Sequence, residues 1–134
     1  MIIESRVVKT GVAATKMHEL LREPANFEEL LPDDHVHEFT STDGGCAFKV
    51  TGGFNIFIKR TEEDAPERIR FESQKGTPIR FTLDILIRGL GDASCDVQVK
   101  CDADLNPFMK MMAEKPLQAI FNGMGEAIAA KFPA

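Results

Sequence analysis

The sequence predicts an α+β domain, with an antiparallel sheet that has one wet and one buried face and a C-terminal helix over the buried face. Three observations predict it. Across residues 79–105 nearly every odd position is apolar: Ile79, Phe81, Leu83, Ile85, Ile87, then Cys95, Val97, Val99, Cys101, Ala103 and Leu105. The even positions between them carry Arg80, Thr82, Asp84, Arg88, Asp96, Gln98, Lys100, Asp102 and Asp104. Period-2 alternation of that length is the pattern of a sheet half in water. After Asn106-Pro107 the period becomes helical, and Leu117, Ile120, Phe121, Met124, Ile128 and Phe132 form one apolar stripe. The third observation is size: 134 residues without repeat or linker make one domain, residues 1–134, large enough to bury a core.

The elements follow in order. Residues 2–9 are apolar and β-branched and read as a first strand, with neither face marked as buried. Residues 13–22 put Ala13, Met17, Leu20 and Leu21 on one helical face, and Pro24 stops that helix. Pro24 then suits the first turn of a second short helix, in which Phe27, Leu30 and Leu31 share a face and which Pro32-Asp33-Asp34 ends. Asp43-Gly44 is a two-residue hairpin signal. With those two residues as the loop, Ser41 faces Cys46, Phe39 faces Phe48 and His37 faces Val50, while Glu38 meets Lys49 on the other face.

Turn parity threads the remaining strands. Phe54, Ile56 and Ile58 occupy even positions, with Phe57 an exception, whereas Ile69 and Phe71 occupy odd ones. Keeping both sets on one face requires an even loop, which Glu63-Asp64-Ala65-Pro66 supplies. Gly76-Thr77-Pro78 and Asp92-Ala93-Ser94 are odd loops between odd-phased strands. The chain therefore reads as strand, two short helices, six strands in a meander and a long helix. Asn106 is the N-cap of that helix, Pro107 its first residue, and Pro116 is expected to kink or divide it.

Charge and composition exclude several functions. Hydrophobic residues at 43% and charged residues at 28% place the chain among ordinary globular proteins. A net charge of −5 with no run of basic residues argues against a nucleic-acid partner. Glu4 interrupts the N-terminal apolar run, which has no basic flank, so no signal peptide is read. No stretch is apolar enough for an integral membrane segment. Three dispersed cysteines do not make a disulfide framework, and the expected setting is the reducing cytoplasm. The oligomeric state is left open.

This order of elements resembles the SRPBCC superfamily, which includes START domains, the birch-pollen-allergen family and polyketide cyclases. The resemblance covers essentially the whole chain, and DADLNPFMKMMAEKPLQ at residues 102–118 looks like the strand-to-helix passage of small bacterial members. It implies a helix-grip fold, a curved seven-stranded antiparallel sheet (β-α-α-β6-α) wrapped around the long C-terminal helix. It also implies a domain that carries or senses a small apolar ligand between sheet and helix. Parity then names the lining: Phe48, Ile56, Phe71, Phe81, Leu83, Ile85, Val97 and Val99 from the sheet, with Met112, Leu117, Phe121 and Met124 from the helix. The same residues equally make an ordinary hydrophobic core, and parity does not separate a lined pocket from a filled one.

Little in the sequence carries chemistry. By the alternation the buried face has no acid and no lysine, and Asp84, Asp102 and Asp104 lie on the outer face. His35 and His37 share a face near Asp33, Asp34 and Cys46, but their spacing matches no closed zinc signature, so no metal or other cofactor is expected. A Cys46–His37 nucleophile pair has no third group to orient it. Cyclase-like members of the superfamily are enzymes, yet this chain has no tyrosine or tryptophan to orient a polyketone. The resemblance points to non-enzymatic binding of a lipid, isoprenoid or aromatic metabolite, or else to a protein-interaction module with a filled core.

Overall fold

The computed structural model describes all 134 residues. Strands β1 (Ile2–Glu4) and β2 (Val8–Thr10) lead into α1 (Ala14–Leu21) and a 3-10 helix at Pro24–Glu29. Then come β3 (Val36–Thr42), β4 (Gly45–Val50), β5 (Asn55–Asp64), β6 (Arg68–Ser73), β7 (Arg80–Gly89) and β8 (Cys95–Asp104). Helix α2 (Pro107–Lys131) closes the chain. The eight strands make one antiparallel sheet, ordered β1-β8-β7-β6-β5-β4-β3 with β2 also on β8.

The expected first strand is two strands. Ile3 pairs with Cys101 and Val8 with Val97, so five residue steps on one strand oppose four on the other. The extra residue sits at 5–7, where Ser5 bonds Val99 twice: its amide donates to the Val99 carbonyl and its Oγ accepts from the Val99 amide. Such a bulge switches the inward parity from odd to even, which is why no face could be assigned from residues 2–9. The seven expected strands therefore become eight.

Two further bulges change the register. The hairpin at Asp43-Gly44 forms with Ser41 opposite Cys46, and Gly44 takes the left-handed φ of +74° that its turn needs. Beyond Thr40 the pairing slips by one, and Glu38 adopts φ +53°. Val36, not His37, then faces Val50, and Phe39 falls with Glu38 in the bulge, outside the paired ladder. The Lys49–Glu38 ion pair survives at 3.1 Å. In β5 the slip falls between Arg60 and Glu62, and the strand continues to Asp64 opposite Arg68. Residues 63–66 are thus not the loop, because a bulge inside β5, and not loop length, reconciles the two phases.

The inner face is one continuous cluster of buried apolar residues drawn from the sheet, α1, the 3-10 helix and α2. Phe27 packs edge-on against Phe71 at 5.0 Å between ring centroids, and Phe121 lies tilted on Phe81 at 6.1 Å. The outer face carries ion pairs such as Arg70–Asp84, two parallel bonds of 2.8 and 2.9 Å. Asn106 caps α2 by accepting from the Met109 amide at 2.8 Å. The helix runs through Pro116 as a single element and is not divided. Pro116 has no amide hydrogen, so the Met112 carbonyl loses its intrahelical donor there.

Candidate functional site

Sheet and helix bring the expected lining residues together. Phe48, Ile56, Phe71, Phe81, Leu83, Ile85, Val97, Val99, Leu117, Phe121 and Met124 are all interior, none more than 3% exposed. Met112 is not with them: it is 52% exposed and lies with Phe108 and Met111 on the opposite side of α2. The buried face of the helix is set by Ala113, Leu117, Ile120, Phe121, Met124 and Ile128, and the helical turn carries position 112 away from it. Helix and sheet side approach closely at Gly125, where a Cβ would lie 2.7 Å from the Ser5 Cβ. The bulge in the first strand and the glycine in the helix therefore fit one another.

Of the seven depressions on the surface, none of the four principal ones opens between α2 and the sheet. The largest, 650 Å³, lies over β7 and β8 and is lined by Val7, Glu67, Leu86, Arg88, Asp96 and Gln98 among others. A second of 590 Å³ sits at the other end of the same strands among Glu72, Arg80, Thr82, Asp102 and Asp104. One of 240 Å³ flanks Phe57, and one of 120 Å³ lies between α1 and the end of α2. The first two draw on the even-numbered, outward residues of β7 and β8 and the third on the outward Ala47, Lys49, Asn55 and Phe57, whereas the interior set is closed in this conformation.

One polar constellation does face inward, and the alternation rule concealed it. The bulge after Arg60 turns Arg60 and Glu63 to the same side, opposite Phe71 and Ile69 respectively. Glu63 there receives Arg22 from α1 through two bonds of 2.8 and 3.0 Å and His18 at 3.0 Å, with Arg60 at 3.4 Å. Arg60 also donates to the Arg22 carbonyl. The Arg22 hydrogen bonds hold the Glu63 carboxyl down at about 2, against partial burial and with smaller help from His18 and Arg60. An acid so firmly ionised is a poor proton donor near neutrality, so this cluster reads as a clamp between α1 and β5. His18 is only 5% exposed, and its Nδ1 has no partner. Because an ionised carboxylate only accepts, Nε2 is the donor in the His18–Glu63 bond. The missed signal was the charged run Lys59-Arg60-Thr61-Glu62-Glu63-Asp64, which alternation alone cannot place around a bulge.

The other reactive groups are kept apart. His37 points outward to Thr51 Oγ1 at 2.6 Å, while Cys46 is buried on the inner face, so the two do not meet. His35 lies 3.6 Å from Asp34. Burial pushes the Cys46 and Cys101 thiols up to about 12, and it raises Cys95 as well against a hydrogen bond with Thr10. All three cysteines are free and buried. Asp102 and Asp104 are exposed on the outer face, and Asp84 there is paired with Arg70.

No protein-family model matches the chain, and no curated protein sequence matches it. Solved structures do. A START superfamily protein from Mycobacterium smegmatis superposes with a TM-score of 0.69 at 13% identity, over 98% of this chain and 96% of that one. Norcoclaurine synthase from Thalictrum flavum, solved with dopamine and hydroxybenzaldehyde, gives 0.64 at 14% identity, over 100% of this chain and 89% of the other. The fold is SRPBCC-like, a helix grip. The di-domain ARO/CYC protein BexL adds a TM-score of 0.69 at 14% identity, over 96% of this chain and 45% of that one. At these identities the likeness is one of fold. Within the helix grip, no helix of the chain is long and apolar enough to cross a membrane.

Proposed function

We propose that the protein holds a small apolar molecule, a lipid, isoprenoid or aromatic metabolite, between α2 and the sheet without reacting with it. One observation carries this reading. Sheet and helix present a continuous apolar interior whose ionisable side chains are thiols raised by burial and the His18 ring, which meets Glu63, itself held ionised at the rim. The START, norcoclaurine synthase and ARO/CYC likenesses support the same class of container. Because that interior is closed, the molecule enters as the N-terminal half of α2 moves, and Met124 and Phe121 repack around it. Three free cysteines support a cytoplasmic setting. Native purification, organic extraction and mass spectrometry are expected to recover an apolar molecule at one per chain. A clean apo protein whose melting temperature is unmoved by fatty acids, isoprenoid alcohols and polycyclic aromatics would overturn the reading.

A specific observation favours a second reading. The would-be lining is packed, and the chamber of about 300–1,000 Å³ that a ligand site usually offers is not open inside. On this reading the interior is only a core and the protein acts through its surface as an interaction module. The same extraction and thermal-shift panel separates the two.

A further inference from the structure

One nitrogen of the interior has no partner in the chain. His18 is 5% exposed, and its Nδ1 is the single buried side-chain nitrogen or oxygen that meets no hydrogen-bonding group. A buried polar atom left in that condition is costly and rare, and a partner from outside the chain is one of its few explanations. The ring itself is held in place. Its Nε2 donates to Glu63, whose carboxylate takes Arg22 through two further bonds. The two nitrogens of an imidazole aim to nearly opposite sides of the ring, so Nδ1 aims away from Glu63.

Helix α1 packs on the inner face of the sheet, against β6, β7 and β8. Met17 and Leu21, buried beside His18 on that helix, belong to the same apolar cluster as Phe121 and Met124 of α2. The few polar groups at inner positions of those strands are engaged elsewhere or bond weakly. Ser73 accepts from the Phe81 amide, Cys95 meets Thr10, and Cys101 is a free thiol. Chemistry then narrows the missing partner. In the neutral ring Nδ1 accepts and needs an O–H or N–H, whereas in the charged ring it donates and needs an oxygen. A hydroxyl answers both. An ether or ketone answers only the charged ring, a hydrocarbon answers neither, and an ionised carboxylate would set a second negative charge across the ring from Glu63. We infer that the apolar molecule held between helix and sheet is an alcohol or phenol, anchored by a hydrogen bond between its hydroxyl and His18 Nδ1, with Glu63 and Arg22 fixing the ring. The inference deepens the container reading above and rests on it, giving a polar anchor to a lining that otherwise selects only by shape.

Two alcohols and their methyl ethers test it: naphthol with methoxynaphthalene, and farnesol with farnesyl methyl ether. Each is titrated at mildly alkaline pH into the full chain and into its His18→Phe variant. An ether shares its alcohol's skeleton, so the alcohol-to-ether affinity ratio isolates the hydroxyl. That ratio is expected to fall by about tenfold in the variant. Where the variant does not fold, the imidazole nitrogen resonances of the unaltered protein carry the test, and His18 Nδ1 is expected to shift with the alcohols and stay in place with the ethers. An equal ratio in the two proteins, or an Nδ1 resonance that a bound alcohol leaves in place, would assign Nδ1 to an internal water. Either result would overturn this inference and keep the container reading. So would a molecule extracted from the native protein that bears no hydroxyl. Binding of none of the four probes, with nothing extracted from the native protein, would end both.

Discussion

Helix α2 is two helices in physical character, joined at Pro116. From Leu117 onward it packs Leu117, Ile120, Phe121, Met124, Gly125 and Ile128 into the core. Before Pro116 only Ala113 is buried, and the larger apolar side chains Phe108, Met111 and Met112 lie in water. Both halves are rich in apolar residues, so composition does not distinguish them. Position does: one half lies over the sheet and the other does not bury its bulk. What the contrast teaches is that an apolar helical residue is only a candidate for the core until something is shown to cover it.

The largest effect expected from breaking this contrast comes from Phe121→Ala. The ring is 1% exposed and packs on Phe81, so its removal should cost about 3–5 kcal/mol in chemical denaturation. A loss below about 1 kcal/mol would mean that the interior is looser than its packing and already able to open. Next is Gly125→Ala. The new Cβ would meet Ser5 Cβ at 2.7 Å and Oγ at 2.9 Å, where Ser5 holds the Val99 amide. The alanine gain in helix propensity is about 1 kcal/mol, and the clash should exceed it, for a net loss of about 1–2 kcal/mol. A stabilised variant would show that α2 can shift off the bulge at little cost.

Acid sharpens the contrast from another side, because α1 is held partly by charge whereas the docked half of α2 is held by apolar packing. Glu63 has a folded value of about 2 against an ordinary 4.5, so the native state binds fewer protons than the unfolded chain between those values. Its contribution is full above about 4.5 and is lost as pH falls toward about 2. Glu63→Gln should cost about 1–3 kcal/mol at neutral pH and flatten the stability curve across that acid range. An unchanged acid limb in urea melts at stepped pH would refute the clamp.

Most of the architecture was legible in the sequence because it is written in periods. Alternation across residues 79–105 marks β7 and β8, Asp43-Gly44 marks the first hairpin, and Asn106-Pro107 marks the start of α2. What alternation misses is the bulge, since one added residue reverses every side chain beyond it. Bulges at 5–7, at Glu38 and after Arg60 account for the divided first strand, the outward His37 and the inward Glu63. The interior residues were legible for the same reason as the strands. Met112 was not, because being apolar in a helical stretch does not say which side of the helix meets the sheet, nor where the sheet ends.

The smallest effect is the most telling for the two halves of α2. Phe108→Ala and Met111→Ala remove side chains that lie 67% and 85% in water, so little transfer free energy is lost and no cavity forms. Each should change unfolding stability by no more than about 0.5 kcal/mol, with alanine's higher helix propensity offsetting part of any loss at Phe108. A loss of 2 kcal/mol or more, as for a truncated core residue, would mean that these side chains are covered in solution by the chain itself or by a second copy. Stability unchanged would leave these side chains without a structural task in the isolated chain. Their exposure then has to be explained by what they meet outside it.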